Sequence, residues 1–105
     1  MADLFGEKLR KIILYGSYAK NLQDRIWKIA YMLGMNGFRD KMGPAIQDDH
    51  ILLNEAGIPA IDIIDFEYPD PANSYWHTHN DIVENCSAES LFQVGAVLLE
   101  YIFSR

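Results

Sequence analysis

The sequence has one cysteine, Cys86, among 105 residues, so the chain cannot form an internal disulfide or a paired-cysteine zinc site. It also lacks a run of lysine and arginine, and its net charge of −6 excludes the basic stripe typical of nucleic-acid-binding proteins. The first residues lack the apolar core of a signal peptide, and no apolar stretch approaches membrane-spanning length. We therefore expect no nucleic-acid partner, no membrane partner, and the location of a cytoplasmic or recombinant protein.

What is present is an alternation of strand-like and helix-like patterns, and 50% of the residues are hydrophobic. Short apolar runs at 11–15 and 60–65 predict buried strands, and a third short strand would fit at 44–47. Apolar residues at helical spacing predict helices at 2–9, 18–33, 48–55 and 87–103. A right-handed crossover through helix 18–33 would make the first two strands parallel. We expect one α/β domain over residues 1–105, a small, mainly parallel sheet of two or three strands packed with helices.

The predicted last helix is apolar on more than one face. Its expected core stripe is Leu91, Val94, Leu98, Tyr101 and Ile102, whereas Phe92, Leu99 and Phe103 lie off that stripe. A helix that is apolar on several faces is covered on several faces, and a thin sheet leaves an edge that invites pairing. We therefore expect a homodimer or a domain-swapped oligomer that completes the sheet.

The residues with metal-binding or acid/base chemistry flank the predicted strand at 60–65. His77 and His79 are separated by one residue and precede Asp81, whereas His50 follows Asp48 and Asp49. Zinc binds histidine nitrogen and carboxylate oxygen, with four ligands in total. The pattern favours a metal or acid/base site at the carboxyl end of this strand, although the residues do not form a complete ligand set.

From about residue 18 onward, the chain resembles the zinc-dependent aminopeptidase family that also contains the glutaminyl cyclases. The matching motifs, in order, are Asp-Asp-His-Ile at 48–51, Ala-Gly-Ile-Pro-Ala-Ile-Asp-Ile-Ile-Asp at 56–65, Tyr-Trp-His-Thr at 75–78, Asn-Asp at 80–81 and Cys-Ser-Ala-Glu-Ser-Leu at 86–91. The resemblance implies a mixed sheet with helices on both faces. It also implies that His77 is the last zinc ligand and that Asp48 belongs to a hydrogen-bond network. Ile82 and His79 depart from the family's usual Thr and Leu or Met.

The resemblance covers only the final third of the chain of that family's members. Their other zinc ligands and the general base come from earlier strands. Because zinc hydrolysis needs several ligands and a base, we expect no catalytic function and no cofactor, only a folded, self-associating domain. The alternative is a remnant of a zinc aminopeptidase or glutaminyl cyclase. In that case, His77 would bind zinc together with His79, His50 or Asp81 across a dimer.

The segment from Leu4 to Lys20 resembles the opening of a minimal nucleotidyltransferase, in which a strand leads into a Gly-Ser turn that contacts phosphate. Here that turn is Gly16 and Ser17, but the family's Asp-x-Asp metal pair does not follow. A second alternative is therefore nucleotide or anion binding at this turn, and the simpler interpretation is a strand-to-helix turn that needs a small residue. Two partial resemblances, 1–17 and 18–105, predict a chimera made in the laboratory or in nature.

Overall fold

The computed structural model describes residues 9–11, 17–42 and 46–104. In chain order, the elements are strand β1 (Leu9–Lys11), helix α1 (Ser17–Met32), strand β2 (Phe38–Met42), helix α2 (Asp49–Glu55) and helix α3 (Ala88–Phe103). Two single-turn 3₁₀ helices, Pro71–Asn73 and Val83–Asn85, lie in the connection between α2 and α3.

The two strands pair in parallel, with Leu9 opposite Phe38 and an irregularity between Arg10 and Lys11. The parallel pair agrees with the α/β expectation, but its strands are not the predicted ones. Residues 12–16, most of the first predicted strand, lie outside the described part of the chain, as do 2–8 and 43–45. β2 occupies Phe38–Met42, where the sequence pattern predicts no strand.

Helix α1 confirms the prediction over 18–33 to within one residue at each end. Gly34 follows its C-terminus, and the φ of 73° at this residue is the left-handed conformation that glycine adopts without steric cost. The Gly34 amide donates to Tyr31 O at 3.1 Å and the Met35 amide donates to Ala30 O at 2.9 Å. These two hydrogen bonds provide donors for carbonyl groups of the last helical turn that would otherwise have none.

The core lies where α1, β2 and α3 meet. Its buried members are Ile26, Trp27, Ala30, Phe38 and Val97. The Trp27 and Phe38 rings meet edge to face with centroids 5.1 Å apart, and Trp27 Nε1 donates to Arg39 O at 2.9 Å. The apolar residues Ile26 and Ala30 of α1 thus lie in the core, whereas Leu33, just after the helix, is exposed.

One buried polar side chain ties β2 to α3. The Gly37 amide, just before β2, donates to Gln93 Oε1 at 2.8 Å, and Gln93 is buried. Gln93 Nε2 in turn donates to Glu89 Oε1 at 3.3 Å. The carboxamide therefore satisfies a backbone donor that would otherwise be buried without a partner.

The segment 60–65 is not a strand, which corrects the prediction. Its side chains are half-buried, and Ile61 and Ile63 pack against the core. A strand is defined by ladder hydrogen bonds to a neighbour, and within the described residues only β1 and β2 form such a ladder. The apolar pattern thus indicated burial correctly but not pairing.

Helix α3 begins as predicted, with Ser87 Oγ accepting the Ser90 amide at 3.2 Å. Its inner face carries Val94, Val97, Leu98 and Tyr101. Leu91 and Ile102 are more than half exposed, so their assignment to the core stripe is wrong. Within the described residues, no helix combines the length and apolar character needed to cross a bilayer.

Candidate functional site

The first candidate group forms at the N-terminus of α2. Asp48 caps this helix, and its Oδ1 accepts the Asp49 amide at 2.8 Å. His50, the second residue of the helix, points inward, and only 4% of its side chain is exposed. A histidine buried to this extent needs a specific polar partner.

A side-chain clamp brings segment 60–65 to the same place. Asn54 Nδ2 donates to Ala60 O at 2.8 Å, and the Ala60 amide donates to Asn54 Oδ1 at 3.0 Å. Two residues further on, Asp62 Oδ2 lies 3.8 Å from His50 Nδ1. The chain therefore gathers Asp48, His50 and Asp62 into one group, which we call the carboxyl–imidazole cluster.

The two carboxyl groups of this cluster shift each other's pKa in opposite directions. Burial raises the pKa of Asp62, and the neighbouring Asp48 carboxyl raises it further. The pKa of Asp48 is lowered, first by the Asp49 backbone N–H and then by the neighbouring Asp62 carboxyl. Asp62 is therefore the more readily protonated of the two carboxyl groups.

The second candidate group is the loop that carries His77. The Tyr75 amide donates to Tyr68 O at 2.8 Å, and the Thr78 amide donates to Tyr75 O at 2.9 Å. These bonds hold His77 at a φ of 58°, a left-handed conformation that costs a non-glycine residue free energy. The imidazole is exposed and meets the Trp76 ring with centroids 4.0 Å apart.

Asp81 fixes the far end of this loop. Its Oδ1 accepts a hydrogen bond from the buried Tyr68 hydroxyl. Burial raises the pKa of the Tyr68 phenol, and the Asp81 carboxylate raises it further. Tyr68 is therefore a hydrogen-bond donor throughout the physiological pH range, and Asp81 acts here as a structural acceptor.

A largely apolar cavity of about 450 Å³ lies beside the loop. Segment 63–66 and helix α3 form two of its sides, and Trp76 contributes to a third. Trp76 also packs on Phe66, with ring centroids 4.7 Å apart. The arrangement can accommodate an apolar side chain next to the His77 loop.

The predicted metal residues are not gathered into one site. His77 and His79 are both exposed, and no group of three His, Cys, Asp or Glu side chains in the described residues could hold a metal ion. Gly16 and the side chain of Ser17 lie outside the described part of the chain, so anion binding at that turn stays a prediction.

Sequence reasoning missed two functional candidates. Asp62 is not among the predicted site residues, yet only 24% of its side chain is exposed because the Asn54 clamp turns its segment toward α2. Tyr68 was not singled out at all, and no motif in the sequence marks it. For Asp62, the signal was a carboxylate inside an apolar run, which implies a buried partner.

Comparison with known proteins places the chain in a family. The sequence pattern of Peptidase family M28 matches residues 2–102. A Zn-dependent exopeptidase from Parabacteroides distasonis is 33% identical with a TM-score of 0.81, covering 95% of this chain and 36% of that one. A glutaminyl cyclase from Bacteroides thetaiotaomicron, solved with N-acetylhistamine, is 31% identical with a TM-score of 0.80, covering 97% and 36%.

A glutaminyl cyclase from Porphyromonas gingivalis is 31% identical with a TM-score of 0.77, covering 92% of this chain and 37% of that one. The chain thus spans a little over a third of the length of these solved relatives. A comparison with curated protein sequences found no match. The resemblance over 18–105 is supported, and no comparison shows a nucleotidyltransferase component.

Proposed function

Because the chain belongs to peptidase family M28, we propose that it supplies one third of a zinc-dependent exopeptidase or glutaminyl cyclase. In this proposal, His77 is one zinc ligand and Trp76 is part of the substrate pocket wall. The observation that carries the proposal is the exposed His77 imidazole, held at a φ of 58° directly beside Trp76. The comparisons favour this alternative over the expectation of no catalytic function.

The described residues alone do not fit a complete zinc site. A catalytic zinc needs about three protein ligands and an open position for water, and the described residues offer no such group. Bound zinc would polarise a carbonyl and acidify a water molecule. The missing ligands must come from elsewhere in a longer protein or from a second copy, so we derive no catalytic step from this chain alone.

The chain's own residues would orient the substrate and shield it from water. Trp76 presents a half-exposed indole, and Phe66 supports it from behind. The cavity beside them suits an apolar side chain of a peptide. The Tyr68–Asp81 hydrogen bond holds the loop that aims His77.

The test is a single polypeptide in which this chain replaces the matching third of the Parabacteroides distasonis exopeptidase. Zinc content and hydrolysis of an aminoacyl anilide are measured for the parent chimera, His77→Ala and the control His79→Ala. We expect His77→Ala to lose zinc and to lose activity beyond the roughly 10–100-fold cost of an outer-shell partner. His79→Ala should stay close to the parent. Unchanged zinc and activity in His77→Ala would refute the assignment.

For the 105-residue chain by itself, a second copy is the proposed partner, because α3 has an uncovered outer face. That face comprises five exposed side chains: Leu91, Phe92, Leu99, Ile102 and Phe103. Each of the five is between 54% and 78% exposed, and a contiguous apolar patch of this kind is typical of an interface. Such a dimer would also offer a second His77 to a shared metal site.

Light scattering at high micromolar concentration tests this self-association. We expect the chain to be dimeric and Leu99→Glu to be monomeric, because a charge would be buried at the centre of the interface. Glu100→Gln, at the neighbouring exposed position, should leave the dimer intact. A monomeric parent chain would show instead that this face belongs to the interior of a larger domain.

A further inference from the structure

Asn36 and Gly37 form the sole asparagine–glycine step in the sequence, which has six asparagines. In such a step, the backbone nitrogen of the glycine can attack the asparagine carboxamide, because glycine has no side chain to hinder the approach. A carbon–nitrogen bond forms, ammonia leaves with the proton of the glycine nitrogen, and a cyclic imide remains. Water then opens the ring to an aspartate or an isoaspartate. This step is therefore the chemically most reactive asparagine of the chain.

The fold places this step at the turn that joins α1 to β2. The Phe38 amide donates to Met35 O at 3.1 Å, so Asn36 and Gly37 occupy the two central positions of a four-residue turn. Asn36 is exposed, whereas Gly37 is buried. The carboxamide that would be attacked is thus open to solvent, and the nitrogen that would attack it is enclosed.

Helix α3 holds the attacking nitrogen. The Gly37 N–H donates to Gln93 Oε1 at 2.8 Å, and Gln93 is anchored in turn by its bond to Glu89 Oε1 at 3.3 Å. To attack the Asn36 carboxamide, the Gly37 nitrogen must lose its proton and turn toward that side chain. Both changes require the bond to Gln93 to break, and breaking it leaves a buried donor without a partner. Gln93 therefore opposes the reaction by keeping the proton on the nitrogen and the N–H directed at α3.

We propose that Asn36 is a site of spontaneous deamidation, and that Gln93 suppresses the reaction for as long as the turn is docked on α3. Local opening of this contact frees the Gly37 amide and starts the reaction. Because ammonia is lost, each opening that leads to reaction leaves a permanent change in the chain. The reaction needs water as its only co-reactant, and it does not depend on zinc or on the proposed function.

The product changes the charge and the backbone of the turn. Asn36 lines a cavity of about 580 Å³ between α1 and β2, and the carboxylates of Asp24 and Asp40 line it too. A new carboxylate at position 36 adds like charge to this lining. An isoaspartate also lengthens the backbone by one carbon just before β2, which disfavours the return of Gly37 to Gln93. The deamidated chain should therefore melt at a lower temperature than the intact chain.

Peptide mass spectrometry after incubation of the 105-residue chain at pH 8 measures the reaction at each asparagine. The parent chain is compared with Gln93→Leu and with the control Val97→Ala, which weakens the core but keeps the bond between Gln93 and Gly37. Circular dichroism establishes that each variant is folded during the incubation. Loss of the bond should accelerate deamidation of Asn36 in Gln93→Leu by roughly 5–150-fold. Asn36 in Val97→Ala, and the other five asparagines in every chain, should react at close to the parent rates.

Two results would overturn the proposal. Equal rates at Asn36 in the folded parent and Gln93→Leu would show that Gln93 does not hold the reaction back. An equal acceleration in Val97→Ala would assign the protection to global stability instead. If Gln93→Leu does not fold, the parent chain decides the question at urea concentrations below its unfolding transition. There, deamidation of Asn36 should rise in step with hydrogen exchange of the Gly37 amide, because both require the same bond to open. Exchange that accelerates without deamidation would contradict the gating by Gln93.

Discussion

Gln93 is predicted to be a main stabilising link between β2 and α3. Its Oε1 accepts the buried Gly37 amide at 2.8 Å, so Gln93→Leu keeps the side-chain volume but leaves that amide without its partner. A buried donor left unsatisfied costs about 1–3 kcal/mol. For a chain of this size, each kcal/mol lowers the melting temperature by about 4–8 °C. We therefore expect Gln93→Leu to melt at least several degrees below the parent chain.

The assay is thermal unfolding followed by circular dichroism at pH 7, with urea unfolding as a second measure of the free energy. Gln47→Leu is the matched control, since Gln47 is exposed and its replacement should change stability by less than about 0.5 kcal/mol. Equal melting temperatures for the two variants would refute the bridging role. Gln93→Glu adds a discriminating case, because a carboxylate can still accept from Gly37 but cannot donate to Glu89.

Three other predictions concern the site and the core. Because folding raises the pKa of Asp62 above its ordinary value of 3.8, the contribution of the protonated Asp62 to folding stability is complete below pH 3.8 and is lost as pH rises through the pKa of the folded state. The introduced asparagine cannot ionise, so the melting temperature of Asp62→Asn minus that of the parent chain should increase from pH 4 to pH 7. A melting-temperature difference that stays constant or decreases over this range would contradict the prediction. His77→Gly should be more stable than the control His79→Gly by about 1–2 kcal/mol, since only His77 has a positive φ, and equal unfolding free energies would argue against strain. Val97→Ala removes a fully buried side chain and should cost about 1–3 kcal/mol in urea unfolding, whereas a loss near zero would show that Val97 lies outside the core.

The helices were predictable because their ends are chemically marked. Asp48 and Ser87 each cap a helix with a side-chain oxygen, and Gly34 and Gly57 each follow a helix with a positive φ. Such capping signals depend on three or four neighbouring residues, so they can be recognised in the sequence without knowledge of the tertiary fold.

The strands and the site were less predictable because they depend on partners distant in sequence. The sequence of β2, Phe-Arg-Asp-Lys-Met, is mostly charged and gives no strand signal, yet it pairs with β1. The strongly apolar segment 60–65 has no ladder partner in the described residues. Likewise, Asp62 joins the cluster only because Asn54 clamps Ala60. In each case, a tertiary contact, rather than the local sequence pattern, determined the structure of the segment.

Two independent shortages point to the same conclusion about how the chain works. The described residues provide no group of three metal-binding side chains, although the chain belongs to a family with Zn-dependent members. In the part of the chain that the structure describes, the outer face of α3, including Phe92 and Phe103, is largely exposed. The family match begins at residue 2, so a junction near residue 17 is not needed to explain either shortage. In the proposed function, one partner meets both shortages, either a second copy or the remainder of a longer protein.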